Sequence, residues 1–385
     1  MTRISADWLT SPATSRVFSM LNDAGHAAFA VGGCVRNTLL GAPVSDVDIA
    51  TSARPDRVLD IAAAAAVRAI PTGIDHGTVT VVVNGQPFEI TTFRKDIATD
   101  GRRAAVVFAD TMEADARRRD FTMNALYADP AGTVHDPVGG LPDLRNRRVR
   151  FIDDPGERIR EDYLRTLRFF RFHAWYGDPA QGVDPEALAA IAANLDGLER
   201  LSRERVGAEM KKLLAAADPA PAVAAMQQTG ALARFLPGAD TRALAPLIHL
   251  EDGAPPDALR RLAALGGEDV ADLLRLSRAE ARRLRLLHEL VAAAVTPEEI
   301  AYRHGAVTAI DVALLRAALL ETPLPADLAA RADAAAAQTF PLRAADLAGR
   351  FQGPALGRAL RQCEQRWIDS GFRLTRDELL RPAAQ

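Results

Sequence analysis

The sequence predicts an α+β protein in which a small domain with a mixed sheet precedes an all-helical part. Short β-like runs occur before about residue 150, and two of them, Thr78–Val83 and Phe88–Phe93, flank Asn84-Gly85, a strong hairpin signal. Beyond about residue 155 the apolar residues keep helical spacing, and proline-rich breaks separate the helices. The length of 385 residues exceeds a typical single core, so two or more domains are expected.

The remaining elements follow in order along the chain. Strands are predicted at Ala28–Val31 and Val47–Ala50, and a helix at Arg54–Arg68 has Pro55 in its first turn, where proline is favoured. The runs with helical spacing in the second half are Leu198–Ala217, Ala258–Leu265, Val270–Val295 and Ala309–Leu320.

The composition limits the class of protein. The net charge is −3 and the pI about 6.2, which is weak evidence against a nucleic-acid binder because such binding needs only a local basic face. Two cysteines, Cys34 and Cys363, are too few for a disulfide framework or a four-cysteine zinc site, and they fit a reducing cytosol. The sequence shows no signal-peptide core and no apolar run of about 20 residues, so we expect a soluble cytoplasmic protein without membrane contact.

A glycine pair and two aspartates form the first candidate site. Gly32-Gly33 follows a predicted strand and opens a helix, so backbone N–H groups there can approach a phosphate, and Arg36 adds a cation. Asp46 and Asp48 lie on a predicted strand, where residues i and i+2 share one face. A glycine turn or a solvated acidic edge would explain either motif alone, but both together in this order indicate a functional site.

Two carboxylates on one face repel each other unless a cation joins them. Such hard oxygen ligands suit Mg²⁺, which binds one or two carboxylates together with substrate phosphates. Two such ions could activate an attacking hydroxyl and stabilise a leaving pyrophosphate. The aspartate pair therefore predicts a magnesium site.

A row of charged residues opens the helical half. Asp162, Arg165, Arg168 and Arg171 are spaced by three and lie roughly along one helical face. In isolation such a row is most often a solvated face with ion pairs between neighbours. Because apolar residues fit a core-facing stripe on the same helix, the row can instead face a cleft.

Five motifs in order resemble those of the class II tRNA nucleotidyltransferases and bacterial poly(A) polymerases. They cover roughly residues 28–214 and read VGGCVRN with DVDIAT, RRDFTMNAL, DPVGGLPDL, REDYLRTLRFFRF and LSRERVGAEMKKLL. The resemblance implies a polymerase-β-like nucleotidyltransferase head at residues 1–150 and a nucleotide-binding helical neck at residues 151–215. It also implies a helical body and tail at residues 216–385 that bind tRNA. The helical part as a whole is expected to be elongated.

The resemblance also implies roles for single residues. Asp46 and Asp48 would bind Mg²⁺. Asp120 and Asn124 would support the sugar and the site. The residues implied to bind the nucleotide are Gly33, Arg36, Arg119, Asp162, Arg165, Arg168 and Arg171. Among these, Asp162 and Arg165 would read the Watson–Crick edge of the base, whereas the later arginines would contact the triphosphate or order the helix.

The implied reaction adds C, C and A to the 3′ end of tRNA from CTP and ATP and releases pyrophosphate. An aspartate accepts from the exocyclic amine that cytosine and adenine share, and an arginine donates to an acceptor atom of either base. UTP and GTP lack that amine at that position and would leave buried polar groups unpaired. One protein template could thus select both C and A.

Rival activities stay open. Poly(A) polymerases share the catalytic motifs, although residues 93–119, with Thr99-Asp100-Gly101-Arg102, resemble the flexible loop of CCA-adding enzymes. An enzyme that adds only CC or only A would carry the same motifs. A non-catalytic RNA-binding relative would have lost a metal aspartate or Arg36. A His-Asp phosphohydrolase is rejected because the only such pair, His135-Asp136, falls inside the third motif.

Further details stay open at this stage. Asn37 stands where the family usually has an aspartate, which puts a local ion pair in doubt. Glu89 is either a third acidic group of the site or a solvated strand residue. The stretch Arg275–Arg285 is basic and could contact RNA phosphates or form an ordinary solvated face. The sequence carries no signal for the oligomeric state.

Overall fold

The chain folds into two compact units, Met1–Pro237 and Gly238–Gln385. The computed structural model describes residues 2–99 and 104–381. Within these ranges all the strands belong to the first unit, and the second unit is helical. The predicted α+β class, with a sheet in the N-terminal part and helices after it, is therefore confirmed. The finer division at residues 150 and 215 stays a prediction.

A seven-stranded mixed sheet is the framework of the first unit. Over the described residues the strands β1–β9 are Ala28–Val31, Asp48–Thr51, Arg68–Gly73, Thr78–Val83, Gln86–Thr92, Arg94–Thr99, Ala104–Phe108, Tyr127–Ala128 and Val134–His135. The sheet order is β3-β4-β5-β2-β1-β8-β9, and β6 pairs with β7 in a separate two-stranded sheet. The pairing of β2 with β5 is parallel, and the other pairings are antiparallel.

The hairpin of β4 and β5 follows from its sequence. Asn84 and Gly85 take positive φ angles of 53° and 80°, which suit a tight turn between twisted strands. In β4 the buried residues are Val79, Val81 and Val83, so every second side chain faces the core. The predicted hairpin is confirmed.

An aromatic cluster ties the helices of the first unit to the sheet-containing part. The helices α1–α12 are Asp7–Thr10, Pro12–Asp23, Gly33–Leu40, Pro55–Ala64, Met112–Arg117, Gly140–Arg145, Pro155–Glu161, Leu164–Tyr176, Pro185–Ala193, Arg203–Leu214, Ala220–Gln228 and Ala231–Phe235. The ring of Phe121 lies 4.8 Å from that of Phe172 on α8 and 5.0 Å from that of Phe151. Phe151 in turn stacks 5.4 Å from Phe169 on α8. This packing brings the segment after α5 against α8, so the polar residues of both can meet.

The second unit contains a buried network of charged side chains. Its helices α13–α22 are Leu244–Glu251, Ala258–Leu265, Val270–Leu273, Arg278–Ala292, Pro297–His304, Ala306–Leu320, Leu328–Ala336, Ala344–Leu347, Gly353–Asp369 and Arg376–Leu380. Arg260 bonds both Glu251 and Asp311, and Arg261 bonds Glu251 at 2.7 Å. All four side chains are buried, so α13, α14 and α18 are joined by compensated charges. None of the helices in the described ranges is long and apolar enough to cross a membrane.

The helical run predicted over residues 270–295 is divided into α15 and α16. Arg275 takes a positive φ of 46°, and Ser277 starts α16 with a capping box completed by Glu280. Arg283 of this basic stretch pairs inside the unit, at 2.7 Å from Asp257 and 2.8 Å from Asp311. Contact of the rest of the stretch with RNA stays a prediction.

Candidate active site

The glycine pair lies where β1 passes into α3. Gly32 has φ 73° and ψ −117°, a backbone conformation that residues with a Cβ rarely adopt. A Cβ there would also stand 3.5 Å from the Asn124 side chain and 3.6 Å from that of Arg119. Gly33 is the first residue of α3, whose first-turn N–H groups have no acceptor within the helix. The motif predicts Gly33 as a site residue, and Gly32 is the residue whose backbone conformation makes the turn possible.

The two predicted metal-binding aspartates are exposed next to this turn. Asp48 is the first residue of β2, and Asp46 precedes it by two, while Val47 and Ile49 between and after them are buried. The predicted alternation is thus present. In the parallel pairing of β2 with β5, Asp48 lies in register with Glu89, which is also exposed.

The acidic groups perturb one another. The pKa of Asp48 is raised first by partial loss of solvent and then by repulsion from Glu89, with a smaller contribution from Asp46, whereas Arg119 opposes the rise. Loss of solvent and the neighbouring carboxylates both disfavour the charged form of Asp48. Over residues 2–99 and 104–381, no group of three or more His, Cys, Asp or Glu side chains is arranged to hold a metal ion by itself. The donor set fits an ion that takes part of its ligands from substrate phosphates.

Arg36 is buried and is held by neutral groups. Its Nε and Nη2 donate to the Asn37 side-chain oxygen at 3.2 and 2.9 Å, and its Nη1 donates to Asn124 Oδ1 at 2.9 Å. Nη2 also donates to the Tyr176 hydroxyl at 2.8 Å, and the guanidinium lies 4.0 Å from the Tyr176 ring centroid. The pKa of Arg36 is lowered, chiefly by burial. The doubt about an ion pair is resolved, because a neutral amide occupies that place.

Arg119 is held by a buried carboxylate that the sequence analysis did not identify. Asp115 accepts from Arg119 at 3.0 Å, from Arg118 at 2.8 Å and from the Tyr127 hydroxyl at 2.7 Å. Burial raises the pKa of Asp115, but Arg119 and Arg118 outweigh it and hold that pKa at about 2. Asp115 therefore stays ionised and fixes Arg119 beside the glycine turn.

Asp120 connects α8 to Arg36. It accepts from Arg168 Nε at 2.6 Å and from Asn124 Nδ2 at 3.0 Å, and the side-chain oxygen Oδ1 of Asn124 accepts from Arg36. Burial raises the pKa of Asp120, but Arg168 and Asn124 lower it to about 2. The supporting role implied for Asp120 and Asn124 fits these contacts.

Arg171 points to a different partner from Arg168. Its Nε donates to Glu209 on α10 at 2.6 Å, and its guanidinium lies 4.8 Å from the Phe172 ring centroid. Glu209 belongs to the fifth motif. Its contact with Arg171 therefore gives the fifth motif a structural role, which is to hold α8 against α10.

The two residues expected to read the base lie near each other but bond to different groups. Asp162 accepts from the Leu164 backbone N–H at 3.1 Å and from Arg205 at 2.6 Å. Arg165 bonds the carboxylate of Glu161 and donates to the Arg118 backbone carbonyl at 2.9 Å. The structure therefore shows a helix-capping contact for Asp162, and the base-reading role stays a prediction.

Some partners could have been found from the sequence and others could not. Asp115 precedes Arg118 and Arg119 by three and four residues, the helical spacing for side-chain pairs, so its role was readable. No local pattern identifies Tyr176, Arg205 or Glu209 as partners, because each of them bonds a residue that is far away in the sequence.

Three features of this site decide its chemistry. It has an exposed acidic pair, a helix N-terminus whose first N–H groups have no acceptor within the helix, and two fixed arginines, Arg36 and Arg119. Cations and N–H groups stabilise the charge that develops on a transferring phosphoryl group, and carboxylates hold the metal. The site is thus equipped to bind a triphosphate and to support transfer at phosphorus.

Two families match parts of the chain. Residues 28–150 match the poly A polymerase head domain, and residues 182–242 match the probable RNA and SrmB-binding site of polymerase A. The chain is 33% identical over 373 residues to CCA tRNA nucleotidyltransferase 1, mitochondrial, of Mus musculus, covering 92% of this chain and 86% of that protein. It is 42% identical over 224 residues to the CCA-adding enzyme of Geobacillus thermodenitrificans, covering 58% of this chain.

The lengths that these matches cover differ between relatives. The chain spans about half the length of some curated relatives, 54% of the Geobacillus enzyme and 44% of the Homo sapiens CCA tRNA nucleotidyltransferase 1. Among solved structures, the Bacillus stearothermophilus CCA-adding enzyme in complex with CTP matches with TM-score 0.73 and 29% identity, over 94% of both chains. The Thermotoga maritima CCA-adding enzyme complexed with tRNA matches with TM-score 0.69 and 17% identity, over 99% of this chain and 98% of that one, and shares the fold.

Proposed function

The chain belongs to the class II CCA-adding tRNA nucleotidyltransferases, and on that premise we propose that it adds C, C and A to the 3′ end of tRNA. The substrates are CTP, ATP and a tRNA that lacks all or part of its CCA end, and pyrophosphate is released. The observation that carries this proposal is the match over 92% of the chain to a CCA tRNA nucleotidyltransferase, with Asp46, Asp48 and Arg36 in place.

A divalent metal serves this family, and we propose Mg²⁺ held by Asp46 and Asp48. Both carboxylates are exposed at the start of β2, and the pKa of Asp48 is raised first by partial loss of solvent and then by repulsion from Glu89, which a cation would oppose. Glu89, in register with Asp48, adds to this field. When bound, the metal would activate the tRNA hydroxyl and stabilise the leaving pyrophosphate.

The triphosphate is proposed to bind at the glycine turn. The N-terminus of α3 at Gly33 supplies backbone N–H groups, and Arg36 and Arg119 supply positive charge. Both arginines are fixed before the nucleotide arrives, by Asn37 and Asn124 on one side and by Asp115 on the other. Fixed donors need little rearrangement during the reaction, which favours transfer.

Arg168 and Arg171 are proposed to act mainly by ordering α8. Each has a carboxylate partner at 2.6 Å, Asp120 for Arg168 and Glu209 for Arg171. A charge that is already compensated attracts a triphosphate less strongly than one that is not. Of the two roles that the resemblance left open for these arginines, these contacts support the structural one.

Base selection is proposed to fall to Asp162 and Arg165. Asp162 has its Arg205 partner at a half-exposed position, so an incoming base can compete for that carboxylate. Arg165 is anchored by Glu161 and by a backbone carbonyl, which limits the directions in which it can donate. A cytosine or adenine amine would replace the Arg205 contact, whereas the acceptor oxygen of uracil or guanine would not.

The experiment is incorporation of labelled nucleotides into tRNA ending at its last nucleotide before CCA. CTP and ATP together should give a three-nucleotide extension, and UTP or GTP should give none. ATP alone on an unrelated RNA tests for poly(A) synthesis, and extension that stops after CC, or that requires a CC end, identifies a partial enzyme. The inactive control is Asp48→Asn, which keeps the side-chain shape and removes its charge.

The segment that resembled the flexible loop of CCA-adding enzymes cannot decide among these activities. Of Thr99-Asp100-Gly101-Arg102, the last three residues lie outside the described part of the chain. A cytoplasmic location is kept as part of the proposal, because Cys34 and Cys363 are both buried thiols and suit a reducing compartment.

A further inference from the structure

Trp175 is an exposed tryptophan on the helix that carries the arginine row. It is the second-last residue of α8, and 47% of its surface is accessible. The other two tryptophans differ, since Trp367 is only 3% exposed and Trp8 is half-buried. A large apolar ring left in water is costly unless a partner covers it part of the time.

The ring of Trp175 is held in a fixed orientation. Its Nε1 donates to the backbone carbonyl of Lys212 on α10 at 2.8 Å. Because Nε1 lies on the edge of the indole, this bond restricts rotation of the ring while the residue stays 47% exposed. A side chain that packed at random on the surface would need no such bond.

Basic side chains lie near this ring, and Glu209 compensates part of their charge, because it pairs with both Arg171 and Lys212. Two of the three lysines of the chain, Lys211 and Lys212, end α10 beside it, and the Lys212 side chain is 62% exposed. Arg171 lies one helical turn before Trp175 on α8. A fixed aromatic face among cations matches the platforms on which proteins stack unpaired bases while holding the phosphates next to them.

We propose that Trp175 is a stacking platform for an unpaired base of the RNA substrate, with Lys212 contacting the adjacent phosphate. The inference rests on the proposed function, because it identifies part of the surface that holds tRNA. The position of Trp175 on α8 agrees with this proposal, because the next residue, Tyr176, accepts a hydrogen bond from Arg36 of the nucleotide site. The RNA end and the incoming nucleotide are thereby held by one helix.

The test measures binding of tRNA lacking its CCA end, without nucleotide, to the wild type and to Trp175→Ala and Trp175→Phe. Stacking on an aromatic side chain contributes enough that Trp175→Ala should raise the Kd for tRNA about 5- to 50-fold, with a smaller rise for Trp175→Phe. Lys212→Gln should weaken binding and reduce its salt dependence. The KM for CTP at saturating tRNA should stay within twofold. Ile74→Ala, also at an exposed apolar position of the first unit, is the matched control and should change nothing.

Intrinsic fluorescence gives a second readout that needs no catalysis. Binding of tRNA should quench the emission of the wild type, and Trp175→Phe should lose most of that quenching, because Trp367 is buried. A Kd for Trp175→Ala within twofold of the wild type, at an unchanged melting temperature, would overturn the proposal. A change in oligomeric state without a change in tRNA affinity would also overturn it, since the ring would then contact a second copy of the chain.

The outcomes separate this inference from the proposed function. A wild-type protein that binds tRNA through Trp175 but incorporates neither CTP nor ATP would overturn the proposed function alone. A protein that incorporates both nucleotides, and whose Kd for tRNA is the same with and without Trp175, would overturn the platform alone. A wild-type protein that binds no tRNA would overturn both.

Discussion

Replacing Asn37 by aspartate would put a carboxylate against the buried guanidinium of Arg36. The Asn37 oxygen accepts from Nε and Nη2, Asn124 accepts from Nη1, and Tyr176 accepts from Nη2, so four of the five N–H groups that an arginine carries are engaged. One N–H, on Nη1, is left for a phosphate. All of these acceptors are neutral, which leaves the full positive charge to act on the nucleotide.

The size of the effect follows from this geometry. A phosphate bound on the opposite side of the guanidinium would lie roughly 5–6 Å from the new carboxylate, which is about the length of two hydrogen bonds. At this distance and an effective dielectric constant of about 20, two unit charges repel by about 3 kcal/mol. Solvent and salt reduce this to about 1–2 kcal/mol, or roughly 5- to 30-fold in affinity. Fold stability should change little, since the gain from two charge-assisted bonds is offset by the lost donation from Asn37 Nδ2 to the Pro43 carbonyl.

The assay is steady-state incorporation of CTP and ATP by Asn37→Asp, with Asn37→Ala as the matched variant that removes the acceptor without adding charge. We expect the KM of both nucleotides to rise together in Asn37→Asp, to fall back as salt is raised, and to change less in Asn37→Ala. Equal effects of the two variants would mean that Asn37 acts only as a support. An unchanged KM in Asn37→Asp, which introduces the residue that the family usually has here, would refute the calculated repulsion between a charge at position 37 and the triphosphate.

Four further outcomes are expected. Asp48→Ala should abolish incorporation of CTP and ATP alike with an unchanged melting temperature, and activity retained in the folded variant would remove it from the metal site. Arg119→Ala should raise the KM for all nucleotides similarly, because phosphates carry no base identity; a loss confined to CTP would contradict this. Asp162→Ala should raise UTP or GTP use relative to CTP, at about 1–3 kcal/mol per lost charged hydrogen bond; unaltered kcat/KM ratios with stability lower by about 1 kcal/mol would make it only a helix cap. Asp115→Asn concerns pH: burial raises the pKa of Asp115, but Arg119 and Arg118 bring it down to about 2 from 3.8, so its contribution to stability is complete above about pH 4 and is lost as the pH falls towards 2. The unfolding free energy of Asp115→Asn, measured by denaturant titrations at several pH values, should therefore vary less over that range than that of the wild type. An equal pH dependence of the unfolding free energy in the two proteins would show that Asp115 makes no pH-dependent contribution to stability.

Local patterns were sufficient for the β4–β5 hairpin and for the alternation around the acidic pair, but not for the order of the strands in the sheet. The turn at Asn84-Gly85 and the alternation around Asp48 depend on neighbours within a few residues, so the sequence contains all the information needed. The same holds for the break before α16, where Ser277 and Glu280 form a capping box that the helical spacing alone concealed.

Long-range partners could not be predicted in this way. Arg36 bonds Asn124 and Tyr176, which are 88 and 140 residues away, and no local spacing announces either contact. The pairing of Asp162 with Arg205 likewise depends on how α10 packs near α8. The motifs located the site, whereas the tertiary packing decided which charges are free and which are compensated.

The order of strands in the sheet has a consequence for synthesis on the ribosome. The strand that carries Asp48, β2, lies inside the sheet between β5 and β1. Both β5 and the other neighbour of β1, which is β8 at Tyr127–Ala128, are synthesised later. At about 5–20 residues per second, the roughly 80 residues between β2 and β8 take on the order of 4–15 s, during which the edge of β1 that pairs with β8 stays open, whereas the free edge of β2 waits only for β5. The carboxylates proposed to bind the metal thus reach their final positions only when the whole head has emerged, and the yield of active enzyme depends on how well the open strand edges are protected until then.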